Sequence, residues 1–177
     1  MDIGVIETCK EHFSWGKAWD DPRVKLHITD GAVFVRDAPD SSYDVIIQDS
    51  SDPWTTDEDD NQVLLPSSIL YTKQHFVDIH RILTPTGVFN FQAETFNIPS
   101  DLIGIQGWYE LAKDVGFERV RYGSLYISTY TTGQIGFMLC EKNSSEAATM
   151  EEVKRRFTAI QEKGLGTSYY QPKLQER

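Results

Sequence analysis

The chain has 177 residues, 40% hydrophobic and 12% aromatic, enough to bury a core of its own, so one globular domain is the starting expectation. No apolar run approaches the roughly 18 to 20 residues of a membrane span, and the opening MDIGVIETCKEHF carries charge where a signal peptide is apolar, which predicts a cytoplasmic protein without a membrane partner. The net charge of −10 sits in the body: residues 1–141 hold 22 acidic against 10 basic side chains, a field that excludes nucleic acid as a main partner, whereas residues 142–177 hold 5 against 7.

Residues 3–13 read as a helix. Val24 to Ile28 (VKLHI) alternates as a short strand, and Tyr43 to Gln48 (YDVIIQ) is a β-branched strand ending at Asp49. Trp54 to Pro66 (WTTDEDDNQVLLP) has no regular period and follows a strand's carboxyl end, where ligands bind in open α/β sheets; it is a candidate lid, or else a solvated insertion. A helix over 68–83 carries Ile69, Phe76, Ile79 and Leu83 at helical spacing and stops at Thr84-Pro85-Thr86-Gly87. Val88 to Gln92 (VFNFQ) is a strand. Ser100 can cap a helix with Leu102, Ile105, Trp108 and Val115 inward and Gly116 as its stop. Strands over about 118–127 and 134–141 follow. Thr149 and Glu152 then form a capping box before Met150, Val153, Phe157 and Ile160, with Gly164 closing the last helix. Alternating strands and helices predict an α/β fold with a largely parallel sheet. Cys9 and Cys140, far apart in apolar segments, read as two reduced, buried thiols.

The residues that can carry chemistry cluster after strands. Asp49, Asp52, Asp57, Glu58, Asp59 and Asp60 crowd into twelve positions. In Asp49-Ser50-Ser51-Asp52-Pro53 two carboxylates stand three residues apart, a pattern that suits an amine: one fixes an ammonium, the other accepts its proton. An alkylamine with a pKa near about 10 is protonated at neutral pH and becomes a nucleophile only when a base relieves it. Capping or an Asx turn is the local alternative, and magnesium is a rival ligand for which no histidine or third ordered carboxylate completes a set. Asp30-Gly31 can admit a flat ligand and accept from an exocyclic amine, or simply cap a helix. Gln92, with Glu94 beyond it, ends the VFNFQ strand and can contact a ligand or serve the core; Tyr126 and Tyr130 can align an amine or pack.

Together the order DG, YDVIIxDSSDP, PxxxLYxxxF, LTPTG-VFNFQAE and TYTTGQIGFMLC resembles the aminopropyltransferases of the spermidine synthase family, from Asp2 to about Pro172. The resemblance implies a class I methyltransferase-like Rossmann sheet. It implies transfer of an aminopropyl group from decarboxylated S-adenosylmethionine to putrescine or a similar diamine, with no metal. By motif position Asp49 corresponds to the base, Asp52, Tyr130 and Gln92 to the diamine site, and Asp30, Gly31 and Pro66 to the nucleoside site. The family's glycine-rich nucleotide loop, its ribose-binding acidic residue and its small N-terminal β domain lie before the matching segment, so residues 1–177 read as a partial catalytic domain, its sheet truncated at the N-terminal strands. The family's short link after DSSDP is lengthened here over 56–65, Thr131 replaces a proline, and Tyr169-Tyr170 matches a late motif. VKLHI, without its family neighbours, is expected to pair with YDVII, lie loose, or be completed by another chain. A homo-oligomer such as a dimer, or assembly with a chain supplying the missing elements, is implied. Two rival functions remain on this scaffold: a diamine N-methyltransferase, and an inactive subunit that binds a partner.

Overall fold

A computed structural model of the chain describes residues 3–59, 61–143, 149–164 and 171–175. Asp60, Tyr169 and Tyr170 lie outside the described residues. The chain divides into two compact units, Met1–Asn143 and Ser144–Arg177.

In the first unit the strands β1 (Tyr43–Gln48), β4 (Leu83–Ala93), β6 (Gln134–Glu141) and β5 (Arg119–Tyr126) lie side by side in that order. β1 pairs in parallel with β4, and β6 is antiparallel to both its neighbours, so three strands run one way and one is reversed. The α/β expectation holds. The helices α3 (Lys73–Ile82) and α4 (Pro99–Val115) bring Phe76, Ile79, Ile105 and Trp108 onto the sheet face that carries Phe89, Phe91 and Met138, all buried. Phe76 stands edge-on to both Phe89 and Phe91, at 5.5 and 5.3 Å between ring centres, the offset that the ring quadrupoles favour. Gly116 ends α4 at φ 114°, as its position in the sequence predicts. The opposite face leaves Val45 59% and Ile47 71% exposed on β1.

Several expectations are corrected. Val24 to Ile28 is not a strand: it has no ladder partner among the described residues, and its apolar members Val24, Leu26 and Ile28 are exposed. Of the three outcomes anticipated, pairing with Tyr43–Gln48 is excluded, since β1 pairs with β4, and an alternating sequence without a neighbouring strand leaves backbone groups for water or for another chain. The helix expected over 68–83 is broken into a 3-10 turn, Pro66–Tyr71, and α3, whose start is set by Thr72 accepting from the His75 amide at 3.3 Å. Thr84 to Gly87 bulges within β4, between the Tyr43–Leu83 and Val45–Val88 pairs, a place where Pro85 has no ladder hydrogen bond to lose. Ser100 does not cap α4; Ile98 occupies that position, and the first turn carries Leu102 past the core, 47% exposed. The stretch after Asp52 is not irregular but a hairpin of β2 (Trp54–Thr56) and β3 (Gln62–Leu64). Cys140 is buried and its thiol pushed up to about 12 by burial, whereas Cys9 is only partly covered.

Two helices frame the start of this unit: α1 (Ile3–His12), and α2 (Gly31–Asp37), too short to announce itself by periodicity. Arg81 of α3 holds α2 in place, its guanidinium donating to the carbonyls of Val35, Arg36 and Ala38 at 3.2, 2.8 and 2.8 Å. In the second unit α5 (Met150–Glu162) starts as predicted, with Thr149 accepting from the Glu152 amide at 3.2 Å, and Gly164 follows it at φ 77°. The Glu152 carboxylate does not complete the capping box; it accepts from Arg155 and Arg156, which hold it down to about 2.

Candidate active site

Three parallel strands deliver their carboxyl ends to one rim, and the chemistry-bearing residues leave from there. β1 ends in Asp49-Ser50-Ser51-Asp52, β4 in Gln92-Ala93-Glu94, and the turn from β5 into β6 carries Tyr130, Thr131 and Thr132. These segments, with the first turn of α4, enclose a cavity of about 440 Å³. Of the residues singled out in the sequence, Asp52, Gln92 and Tyr130 line it together, although 78 positions separate the first from the last.

The aspartate loop is held from below. Ser67 donates to the Asp52 carbonyl at 2.5 Å, and the Tyr71 hydroxyl meets the Ser50 hydroxyl at 3.1 Å. At the end of β1 the Gln48 amide nitrogen donates to the Leu70 carbonyl at 3.3 Å, while its oxygen faces His75 Nε2 at 3.0 Å. His75 is buried, and burial lowers its pKa, so the neutral imidazole is the form that donates to Gln48. The 3-10 turn and α3 thus fix both ends of the loop. On the other side, Gly133 at φ 69° lets the β5–β6 turn close with its amide on the Tyr130 carbonyl at 2.8 Å, which leaves the tyrosine ring 43% exposed at the mouth.

Glu94 and Asp101 line the same cavity and were not among the expected site residues. For Glu94 the signal was present: in a strand of period 2, residues 92 and 94 share the face away from buried Ala93. Asp101 gave no such signal, because α4 starts one residue earlier than its apparent cap. Burial first, then the charges of Asp52 and Asp101, push the Glu94 carboxyl up to about 7. The three carboxylates share the cavity without forming a metal-ligand group, and none exists among the described residues.

The remaining expected residues stand elsewhere. Asp49 is exposed at the end of β1 and is not part of the cavity lining. Asp30 caps α2, accepting from the amides of Ala32 and Val33 at 2.8 and 3.1 Å. Gly31 opens that helix beside Leu70, so α2 and the Pro66–Tyr71 turn are neighbours; a Cβ at 31 would approach only Leu70 Cδ2, at 3.9 Å. The protein itself therefore does not demand glycine there. Trp54, from the base of the acidic hairpin, stacks on Trp108 at 5.5 Å, and the hairpin tip turns on Asp57, which accepts from the amides of Asp59 and Asn61 at 2.9 and 2.8 Å.

The sheet, with its one reversed strand and a ligand-sized cleft at the carboxyl ends of the others, has a Rossmann-type fold of the class I methyltransferase-like kind. Human methyltransferase-like protein 13, solved in complex with SAH, shares that fold at a TM-score of 0.62 and 20% identity, over 96% of this chain and 71% of that one. A spermidine synthase solved in complex with the transition state analogue AdoDATO aligns at a TM-score of 0.66 and 27% identity, over 81% of this chain and 45% of its own. Spermidine synthase 1 of Hyoscyamus niger is 36% identical over 141 residues, 79% of this chain and 41% of its own length. The spermine/spermidine synthase domain model matches residues 1–151, and the chain belongs to this family of aminopropyltransferases. It spans about two fifths of the length of the curated relative from Hyoscyamus.

Proposed function

We propose that the chain works as an aminopropyltransferase domain, moving an aminopropyl group from decarboxylated S-adenosylmethionine to putrescine or a similar diamine. The observation that carries this reading is the convergence of Asp52, Gln92 and Tyr130 on one cavity, with Glu94 and Asp101 adding carboxylates. A solved relative in complex with AdoDATO supports the co-substrate. A diammonium ion matches such a lining: carboxylates accept its N–H groups, Gln92 adds a neutral acceptor, and the exposed edge of Tyr130 guides one end.

Asp49 takes the proton of the attacking amine, leaving a lone pair that attacks the carbon bound to the sulfonium sulfur. The new C–N bond forms as the C–S bond breaks, its electrons pass to sulfur, and methylthioadenosine leaves as a neutral thioether. A sulfonium needs neither acid nor metal to depart, so alignment and proton removal supply the catalysis, the latter typically about 10²–10⁴-fold. Asp49 stands outside the cavity lining, on a loop whose neighbours Ser50 and Asp52 are tethered, and in this reading it meets an amine that Asp52 presents. Asp30, Gly31 and Pro66 hold the nucleoside on the neighbouring surface between α2 and the 3-10 turn.

The test supplies decarboxylated S-adenosylmethionine and putrescine and follows methylthioadenosine. Wild type makes product and Asp49→Asn loses about 10²-fold or more in kcat. Equal turnover by the two would reject Asp49 as base. S-adenosylhomocysteine formed with S-adenosylmethionine as donor, and no methylthioadenosine from the decarboxylated donor, would identify an N-methyltransferase, and no binding of methylthioadenosine at millimolar concentration would point to a non-catalytic subunit.

A further inference from the structure

The motif Gly133-Gln134-Ile135-Gly136 opens β6, and its second glycine has a steric cause. A Cβ at position 136 would fall 2.2 Å from the hydroxyl of Tyr122 and 2.4 Å from its ring, so no side chain fits there while that ring is in place. Tyr122 lies on β5 opposite Met138 and reaches diagonally over Gly136. Its hydroxyl donates to the carbonyl of Glu94 at 2.8 Å. Ala93 and Gly136 form the last pair of the β4–β6 ladder, so Glu94 stands just past the sheet, and a phenol takes over where the ladder stops.

Around that contact lies a buried polar chain. Thr95 donates to the Gln134 side-chain oxygen at 2.9 Å, and the Asn97 amide donates to Thr95 at 3.2 Å. The Gln134 amide nitrogen is 3.5 Å from the Tyr122 hydroxyl, and Thr132 donates to the Gln134 carbonyl at 2.9 Å. Gln134 is 2% and Thr95 5% exposed, so each hydrogen bond lost here leaves a buried group unsatisfied rather than returned to water.

We infer that Tyr122, admitted by Gly136 and supported by Thr95 and Gln134, is a positioning residue for the acceptor side of the cavity. It sets where the Glu94 carboxylate stands and, through Gln134 and Thr132, ties that position to the turn bearing Tyr130. Tyr122 is absent from the cavity lining and acts through Glu94. The consequence for substrate rests on the amine-binding reading above; the geometry of Glu94 does not.

Two measurements on the intact chain separate these levels. The titration midpoint of the Glu94 carboxyl, followed by carbon-13 NMR without ligand, reads the positioning, and calorimetry with putrescine reads the amine site. Tyr122→Phe keeps the ring and removes the hydroxyl; Thr95→Val removes the supporting bond at equal volume. In both, release of the Glu94 backbone lets the carboxyl turn into water, and its midpoint drops from about 7 by about one unit. Putrescine binding weakens about 5–10-fold, the loss of one oriented hydrogen-bonded contact. Val120→Ala, a core change on the same strand, lowers the melting temperature without moving the midpoint. Gly136→Ala, which displaces the ring, shifts the midpoint at least as far as Tyr122→Phe. If Tyr122→Phe and Thr95→Val fold and leave the midpoint where it was, the positioning role is wrong, whatever putrescine does. If the midpoint moves but wild type does not bind putrescine, the amine reading fails and the positioning stands.

Discussion

Glu94 is the residue whose chemistry depends most on its surroundings. Held up to about 7 by burial and by Asp52 and Asp101, it is near half-protonated at neutral pH in the free protein. An arriving dication favours the carboxylate and expels that proton. Calorimetry of putrescine binding at pH 7 in buffers of different ionisation enthalpy is therefore expected to show release of up to about half a proton, and affinity rising with pH through about 7. Glu94→Gln abolishes both effects; proton release unchanged in that variant would exclude Glu94 as its source. The same group bears on stability. Its folded pKa lies above the ordinary 4.5, so the folded protein holds an extra proton between about 4.5 and 7, and the stability this group contributes falls as pH rises across that window.

At the scale of elements, the acidic hairpin is pinned at one point. Trp54 stacks on Trp108 and covers Gly104, where a Cβ would come within 3.4 Å of the indole, while the hairpin's exposed members include Val63 and Leu64. A three-residue pair of strands is too short to stand alone in water, so the indole provides the anchor. Trp54→Ala is expected to cost about 2 kcal/mol or more in apolar burial. Hydrogen exchange at the amides of Thr55 to Val63 should then accelerate while β4 and β6 keep their protection. Undiminished hairpin protection in that variant would show that strand pairing alone suffices. Elements of this kind were hard to read in advance. Polar Thr55 to Asp60 hides the alternation of a hairpin, whereas the β-branched run of β1 was legible to the residue and the apolar period of α3 fixed its end within one residue but not its start, which Thr72 sets.

For the molecule as a whole, charge and cavity point the same way. Residues 1–141 carry twelve more acidic than basic side chains, and three carboxylates share one cavity in that unit. Attraction of a dication from that distance is screened by salt, because the Debye length shrinks from about 30 Å at 0.01 M to about 8 Å at 0.15 M. Putrescine affinity is expected to fall several-fold across that range, while the neutral nucleoside product methylthioadenosine keeps its affinity. Equal salt dependence for the two ligands would mean that the field plays no part.

What the amino-acid order determined by itself was local or carried by motif: the β-branched run of β1, the left-handed glycine ending α4, the Thr149 cap, the α/β class, and the family resemblance on which Asp49, Asp52, Gln92 and Tyr130 were singled out. These depend on residues close in the chain, whose propensities and spacing act without a partner. Tertiary structure alone decided which carboxylates share one cavity, that Val24 to Ile28 has no ladder partner among the described residues, and why Gly136 must be glycine. Each of those is a relation between elements far apart in sequence: Tyr122 reaches Glu94 across 28 residues, and Asp52, Glu94 and Asp101 come from three separate segments. The raised carboxyl of Glu94 belongs to that second kind, since burial and neighbouring charge exist only once the chain has folded.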